Sequence, residues 1–268
     1  MTEENVPTDP AVLKNCCAAA YGHDAVALVL GESYHPGGRA LTRALVEKLG
    51  VAEGDRVVDV AAGPGDTARL LAHEYGARVE ATELNADTVR RGREATEQAG
   101  LTGRVRFHPA DAERLPLPDG MFDAVVCECA FCTFPDKPVA AGEFARLLRP
   151  GGAVGIADVT VREGGLPREL ASLAGWIACV ADARPLSEYA ALLNRAGLRV
   201  EHTERRDGAL RGMIDTIDAR VRLLRMTVPD RLEALGVNVD TVLEHTRVAA
   251  EAAAEGVLGY ALAVARKP

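Results

Sequence analysis

A doubly wound, mostly parallel α/β sheet of seven strands is the architecture this sequence predicts, and three observations predict it. Short β-branched runs alternate with amphipathic helical stretches from Arg56 onward, the spacing of βαβ units. The first run, Arg56-Val57-Val58-Asp59-Val60, has no polar alternation, as expected of a strand buried on both faces. It leads into the small-residue turn Ala61-Ala62-Gly63-Pro64-Gly65 and a helix opening near Thr67. That arrangement presents a helix N-terminus to a ligand at the strand's C-terminal end.

In chain order, residues 1–10 carry two prolines and several charges and read as a loose tail. Between Ala11 and Leu30, Val12, Leu13, Cys16, Cys17, Ala20 and Tyr21 outline one apolar helical face, broken near Gly22. A polar loop, Gly31–Gly38, precedes a helix over Leu41–Leu49 that ends at Gly50. Residues 1–50 are thus expected to form an N-terminal helical cap that folds over a ligand. Strands are expected at Arg56–Val60, Arg78–Thr82, Val105–His108, Ala124–Cys127, Val154–Ala157, Leu198–Glu201 and Leu258–Ala265. Helices are expected at Thr67–Tyr75, Ala86–Ala99, Val139–Leu148, Pro167–Val180 and Ser187–Ala196. Residues 51–268 form the core on this reading. Within them, residues 203–256 are a helical insertion (Met213–Met226, Asp230–Leu235, Val239–Glu255) that serves as a lid or pairs two copies in a homodimer.

Composition narrows the function. The formal charge of −8 and the lack of a Lys/Arg cluster argue against nucleic acid. No apolar stretch approaches the roughly 20 residues that span a bilayer, and the N-terminus lacks the basic flank and apolar stretch of a signal peptide. A cytoplasmic location is expected, with the six cysteines as thiols.

The turn after the first strand is neither G-x-G-x-x-G nor a phosphate loop, since no Gly-Lys-Ser/Thr follows. Glu83 closes the second strand eighteen positions after Gly65, where an acid can accept both hydroxyls of a ribose. Asp111-Ala112-Glu113 follows the third strand, Phe122-Asp123-Ala124-Val125-Val126 leads into the fourth, and Leu147-Leu148-Arg149-Pro150-Gly151-Gly152 precedes the fifth. Alone, each acid reads as a solvated carboxylate and the turn as an ordinary strand–turn–helix. Together and in this order they resemble the class I S-adenosylmethionine-dependent methyltransferases, whose motif I is an acidic residue followed by G-x-G-x-G. Ala61 stands where that family has its first glycine, a mild departure so long as the residue keeps a negative φ. The resemblance implies a Rossmann-like fold with an antiparallel strand pair at its end. It also implies S-adenosyl-L-methionine as cofactor and S-adenosyl-L-homocysteine as product. The cofactor-binding residues it implies are Asp59, Ala61, Gly63, Gly65, Glu83, Leu84, Asp111, Ala112 and Glu128, with Tyr34 closing over them.

Cys127-Glu128-Cys129-Ala130-Phe131-Cys132 begins at the C-terminal end of the fourth strand, the rim where open α/β sheets bind ligands. Here the chain resembles the arsenite (trivalent arsenic) methyltransferases. They carry a cysteine six residues before a Pro-Asp-Lys, as Cys129 stands before Pro135-Asp136-Lys137. They carry another in a Gly-x-Cys-x-x-x-Ala segment, matched by Cys179 and Ala183 with Ile177 for the glycine. The resemblance implies Cys129 and Cys179 as ligands of a metalloid acceptor, with Cys16 or Cys17 as a third thiol. Soft thiolates suit such an acceptor, and its lone pair needs no general base. Beside this stand blander readings: buried apolar thiols, a four-thiolate zinc site from Cys127, Cys129, Cys132 and Cys179, or a Cys129-x-x-Cys132 redox pair. Tyr34 and His35 sit in the loop before the core, and His35 is a candidate base for an O- or N-acceptor. Trp176 lines the pocket or packs in the core, and His108 and His202 have no evident partner.

The leading expectation is therefore methyl transfer to a small acceptor, with trivalent arsenic or a similar soft metalloid first. The alternatives are an O-, N- or C-methyltransferase acting on a metabolite, and a non-catalytic module that binds the cofactor.

Overall fold

The apolar runs do become strands. In a computed structural model describing residues 14–15, 18–19, 21–31, 34–164, 166, 180 and 182–268, they are β1 (Arg56–Val60), β2 (Arg78–Glu83), β3 (Val105–Pro109), β4 (Phe122–Glu128), β5 (Leu148–Val161), β6 (Arg199–Arg205) and β7 (Leu258–Arg266). Between and around them lie α1 (Asp24–Leu30), α2 (Gly38–Leu49), α3 (Asp66–Glu74), α4 (Ala86–Gln98), α5 (Lys137–Leu147), α6 (Leu186–Arg195), α7 (Asp207–Thr227), α8 (Pro229–Ala234) and α9 (Val239–Ala254). The expected helix at Pro167–Val180, which carries Trp176 and Cys179, falls almost wholly outside the described residues, as do Cys16 and Cys17.

One sheet holds all seven strands in the order β3-β2-β1-β4-β5-β7-β6. The first five pair in parallel, and β7 runs antiparallel to both β5 and β6. Right-handed crossovers put α3 and α4 on one face as the chain winds outward from β1 to β3. The chain then returns to β4 on the other side of β1 and winds the opposite way, which puts α5 on the other face. Covered on both sides, Val57, Val58 and Val60 are fully buried, which is why β1 reads as a continuous apolar run. The reversal between β1 and β4 is the switch point at which open α/β sheets leave a crevice.

Three boundaries differ from expectation, each for a local reason. β5 starts at Leu148 because Phe122 already pairs with it, and the register jumps before Ala124 meets Ala153. The Arg149–Gly152 turn bulges out between these pairs, tied to the C-terminus by Gly151 N–H to Lys267 O at 2.9 Å. β6 runs on to Arg205 as an edge strand whose residues alternate between exposed and half-buried, so polar His202–Arg205 concealed it. His202 and His108 do have partners there: Glu204 at 3.2 Å and Glu80 at 2.6 Å. α7 begins at Asp207, despite Gly208 and Gly212, because Asp207 Oδ1 accepts the Tyr260 N–H at 3.0 Å and pins the helix start to β7.

The helices between β6 and β7 pack on the sheet's antiparallel end. α7 lies against α9, β7 and α1, and Arg220 Nη1 donates to Val29 O at 3.4 Å. On α2, Leu45 and Leu49 lie so near β5 that a Cβ at Gly155 would sit 2.9 Å from Leu45.

Candidate functional site

The crevice between the C-terminal ends of β1 and β4 is a cleft with three walls. The turn after β1 and the ends of β2 and β3 supply Asp59, Ala61, Gly63, Glu83, Leu84, Asp111 and Ala112. The end of β4 and the 3-10 turn Phe131–Thr133 supply Glu128, Cys129, Ala130, Thr133 and Phe134. The segment before α2 covers them with Lys14, Ala18, Tyr21, Tyr34 and His35. Every described residue expected in the site lines this cleft except Gly65. That glycine stands behind the lining as the N-cap of α3.

Backbone geometry shapes the first wall. Gly63 and Gly65 adopt φ of 53° and 85°, and so does Ala61, at 56°. The condition that made Ala61 a mild departure, a negative φ, is therefore not met. The turn needs three left-handed residues, and this chain puts an alanine at the first. Left-handed geometry costs an L-residue about 1–2 kcal/mol, partly offset by alanine's smaller loss of chain entropy relative to glycine, about 0.5–1 kcal/mol. Ala61→Gly should therefore stabilise the protein by up to about 1 kcal/mol in urea unfolding, where the same change in a helix would destabilise it.

Three buried carboxylates form the floor. Glu83 Oε2 accepts the Gly63 N–H at 3.1 Å, and its Oε1 accepts the Asn85 N–H at 2.9 Å. Four lone-pair positions are available to a carboxylate, and even with the Leu84 N–H as a third backbone donor this one keeps capacity for a ligand's hydroxyls. Glu128 accepts from Thr42 Oγ1 at 3.1 Å and from Thr67 Oγ1 at 2.7 Å. The His35 ring lies beside this cluster, its Nε2 3.3 Å from Thr42 Oγ1 and 3.8 Å from Glu128 Oε2. Asp59 is 3% exposed, and its Oδ2 has no hydrogen-bond partner among the described residues.

Burial holds the Asp59 carboxyl well above the usual carboxylate range, and the Glu128 charge adds to it. Burial also raises Glu83, against the pull of its backbone donors. Between the ordinary carboxylate range and these raised values the folded chain binds more protons than the unfolded one. Stability without ligand therefore falls as pH rises through that window.

At the far end Lys14 Nζ donates to Asp111 Oδ2 at 2.8 Å and also pairs with Glu113. It thereby fastens the N-terminal segment across the cleft. Asn85 Nδ2 donates to Ala18 O at 3.3 Å and Arg91 Nη2 to Gly22 O at 2.5 Å, adding two more ties.

The cysteines separate by burial. Cys129 is half-buried and lines the cleft, whereas Cys127 and Cys132 are fully buried in the core. Burial pushes the Cys127 thiol well above its ordinary range. Cys129 takes a left-handed φ of 52° while its N–H donates to Ala157 O at 2.7 Å. Among the described residues no group of three or more His, Cys, Asp or Glu is placed to hold a metal ion. No helix among them is long and apolar enough to cross a membrane.

Lys14, Thr42 and Thr67 went unmarked in the sequence as site residues. Thr42 was the most legible, a lone hydroxyl on the apolar stripe of Leu45, Val46 and Leu49. Lys14 carried no signal, because its carboxylate partners are 97 and 99 residues away.

Comparison with known proteins agrees with this layout. Residues 58–156 match the family model of a methyltransferase domain, which spans β1 through most of β5. Methyltransferase GfsG of Streptomyces halstedii is 35% identical over 164 residues, 60% of this chain and 59% of that protein's own length. The chain therefore matches about three fifths of that relative. Among solved structures, the [4+2]-cyclase SpnF superposes with a TM-score of 0.80 at 23% identity, over 94% of this chain and 96% of the cyclase. A phosphoethanolamine N-methyltransferase of Haemonchus contortus, solved with phosphomonomethylethanolamine and S-adenosylhomocysteine, gives a TM-score of 0.82 at 19% identity. That likeness covers 96% of this chain and 60% of the other. At such identities the two structures speak for the fold.

Proposed function

We propose that this chain, whose residues 58–156 match the model of a methyltransferase domain, is a class I S-adenosylmethionine-dependent methyltransferase acting on a small organic acceptor. The observation that carries the reading is Asp59 Oδ2, a buried carboxylate oxygen left without a partner at the cleft floor. Such an atom is costly unless a ligand supplies a donor or positive charge. S-adenosylmethionine supplies both, and with them a methyl group already activated on sulfur. Glu83 keeps capacity for the ribose hydroxyls, and Asp111 lies at the far end for the adenine. Gly63 leaves the nucleoside room, since a Cβ there would meet nothing nearer than Tyr34 at 3.8 Å.

The chain's own residues then align and enclose. Tyr34 and the segment tied down by Lys14 cover the cleft and exclude water, and positioning supplies most of the rate. His35, held by Thr42 beside Glu128, takes the proton from an acceptor that must lose one.

Proton linkage gives a prediction. A cation beside Asp59 favours its ionised form, so cofactor binding releases protons from a carboxyl that burial had kept protonated. Affinity for S-adenosylmethionine should rise with pH through the window between the ordinary carboxylate range and the raised value. Calorimetry in buffers of different ionisation enthalpy reads this directly, and proton uptake on binding would contradict it.

A second reading, transfer to a soft metalloid, is favoured by the Cys129 thiol in the cleft. It requires further thiolates from Cys179, Cys16 or Cys17, which lie outside the described residues. One assay separates the readings: S-adenosylhomocysteine formation with arsenite plus a thiol reductant, beside a panel of phenols, hydroxyquinones and amines. Turnover on the organic panel that survives Cys129→Ser supports the first. Turnover on arsenite that Cys129→Ser abolishes supports the second. Binding of the cofactor with no turnover in any arm would leave a binding module.

A further inference from the structure

The charges lining the cleft are lopsided. Its described lining carries five carboxylates, Asp59, Asp66, Glu83, Asp111 and Glu128 among them, and a single cation, Lys14. That lysine is committed to Asp111 and Glu113 at the far end from the β4 rim. Arginines near the mouth are committed elsewhere: Arg39 to Asp66, Arg69 to Pro64 O, and Arg91 to Asp24 and Gly22 O. Outside the described residues the sequence holds one further lysine or arginine, Arg168, against Glu3, Glu4, Asp9, Glu32 and Glu169. Past Glu128 at the end of β4 the lining is neutral, with Cys129, Ala130, Thr133 and Phe134, and the covering segment adds Tyr21, Tyr34 and His35. Phe134 stands edge-on to buried Phe131, their centroids 6.0 Å apart.

From this we infer that the acceptor reaches the rim as an uncharged or cationic molecule with an apolar, ring-bearing end, and not as a phosphate ester or diphosphate. The inference rests on the reading of the cleft as a methyl-transfer site, and it names the substrate class. A phosphoryl group needs fixed donors and positive charge. Here it meets the carboxylates of Glu83 and Glu128, which have no Lys or Arg ion-pair partner among the described residues, Glu128 having only the His35 ring at 3.8 Å, and a low-dielectric wall strengthens that repulsion. One sulfonium cation does not neutralise the floor. On that reading Asp59 Oδ2, buried and unpartnered, takes the sulfonium charge for itself, so the sulfonium is not left to offset a phosphoryl group. The cleft favours a ring, because Phe134 at the rim and Tyr21 and Tyr34 on the covering segment supply flat apolar faces. In this the chain would differ from the Haemonchus contortus enzyme of the same fold, which was solved with a phosphorylated ligand.

Three probes that share one ring test the inference: benzyl alcohol, benzylamine and benzyl phosphate, titrated into the S-adenosylhomocysteine-loaded protein and followed by ligand-observed NMR. The alcohol and the amine should bind at least about tenfold more tightly than the phosphate, as expected for repulsion by one uncompensated carboxylate. Thr133→Lys, which puts a cation at the rim, should close most of that gap by strengthening phosphate binding. Benzyl phosphate binding to the unaltered protein as tightly as the alcohol would overturn the inference. So would failure of all three probes to bind the loaded protein, because the rim is then no site for a ring. Failure of S-adenosylhomocysteine itself to bind would instead sink the methyltransferase reading, so the two failures are told apart.

Discussion

Glu83→Ala should weaken S-adenosylmethionine binding by two to four orders of magnitude in isothermal titration calorimetry. The carboxylate spends one lone pair on the Gly63 N–H and one on the Asn85 N–H, which fixes its plane before any ligand arrives. On the proposed reading, two charge-assisted bonds to ribose hydroxyls would then be made without reorganisation. Each contributes about 1.5–3 kcal/mol, and 1.4 kcal/mol is a factor of ten. The alanine also strands the Gly63 N–H, loosening the glycine turn that faces the nucleoside. Glu83→Gln keeps one acceptor oxygen and the shape of the side chain, and it should lose about tenfold. A Glu83→Ala protein binding within threefold of the parent would remove the ribose from this position. Because Glu83 sits at the mouth of a parallel strand and not in the hydrophobic core, the variant should stay folded, and unchanged far-UV circular dichroism would separate lost binding from lost structure.

How far the sequence carried this site depends on what kind of contact each residue makes. Asp59, Gly63, Glu83, Leu84, Asp111 and Glu128 stand at strand ends or in the turns beyond them. A run of apolar residues announces a strand, and the residues at its end lie near the rim; the methyltransferase resemblance then marked these positions as cofactor residues. Thr42 and Thr67 act through Glu128, a relation set by how α2 and α3 dock on the sheet, and docking angle leaves no mark in a local pattern. Lys14 is more extreme, since its partners lie across the whole first half of the fold. Ala61 failed differently. Its residue type argued for negative φ, and the turn overrode that preference because the neighbouring strand and helix fix both ends of the loop. β1 and β7 were legible because burial on both faces leaves an uninterrupted apolar run. β6 was clipped because an edge strand is free to carry charge on its solvent side. The cysteines look like one cluster in sequence, but Cys127 lies inside β4 and is buried in the core, whereas Cys129 stands one residue past the strand's end, where the chain turns left-handed at the rim.

Gly65→Val should be among the most damaging single substitutions outside the cleft lining, costing about 2–5 kcal/mol of stability. A β-branched residue at φ 85° is a true outlier, and left-handed geometry alone costs about 1–2 kcal/mol. The larger part is steric. A Cβ at Gly65 would lie 2.4 Å from Phe107 Cζ, far inside contact distance. Phe107 is 3% exposed and has nowhere to go, because a Cβ at Gly92 would also meet its ring, at 2.5 Å. The ring of β3 is thus clamped between the turn after β1 and the face of α4, and glycine on both sides is what admits it. Overpacking of this kind typically adds 1–3 kcal/mol, a large share of a total stability of roughly 5–15 kcal/mol. The clash and the backbone cost can be separated by a double-mutant cycle with Phe107→Leu, read by urea unfolding. Shrinking the ring should return about 1 kcal/mol or more to the Gly65→Ala protein, leaving only the left-handed penalty. Additive costs in that cycle would mean that Phe107 is not what forbids a side chain here. The cofactor should report the same event, since Gly65 caps α3 and hands the turn to the cleft: a side chain that pushes against Phe107 must move Gly63 as well.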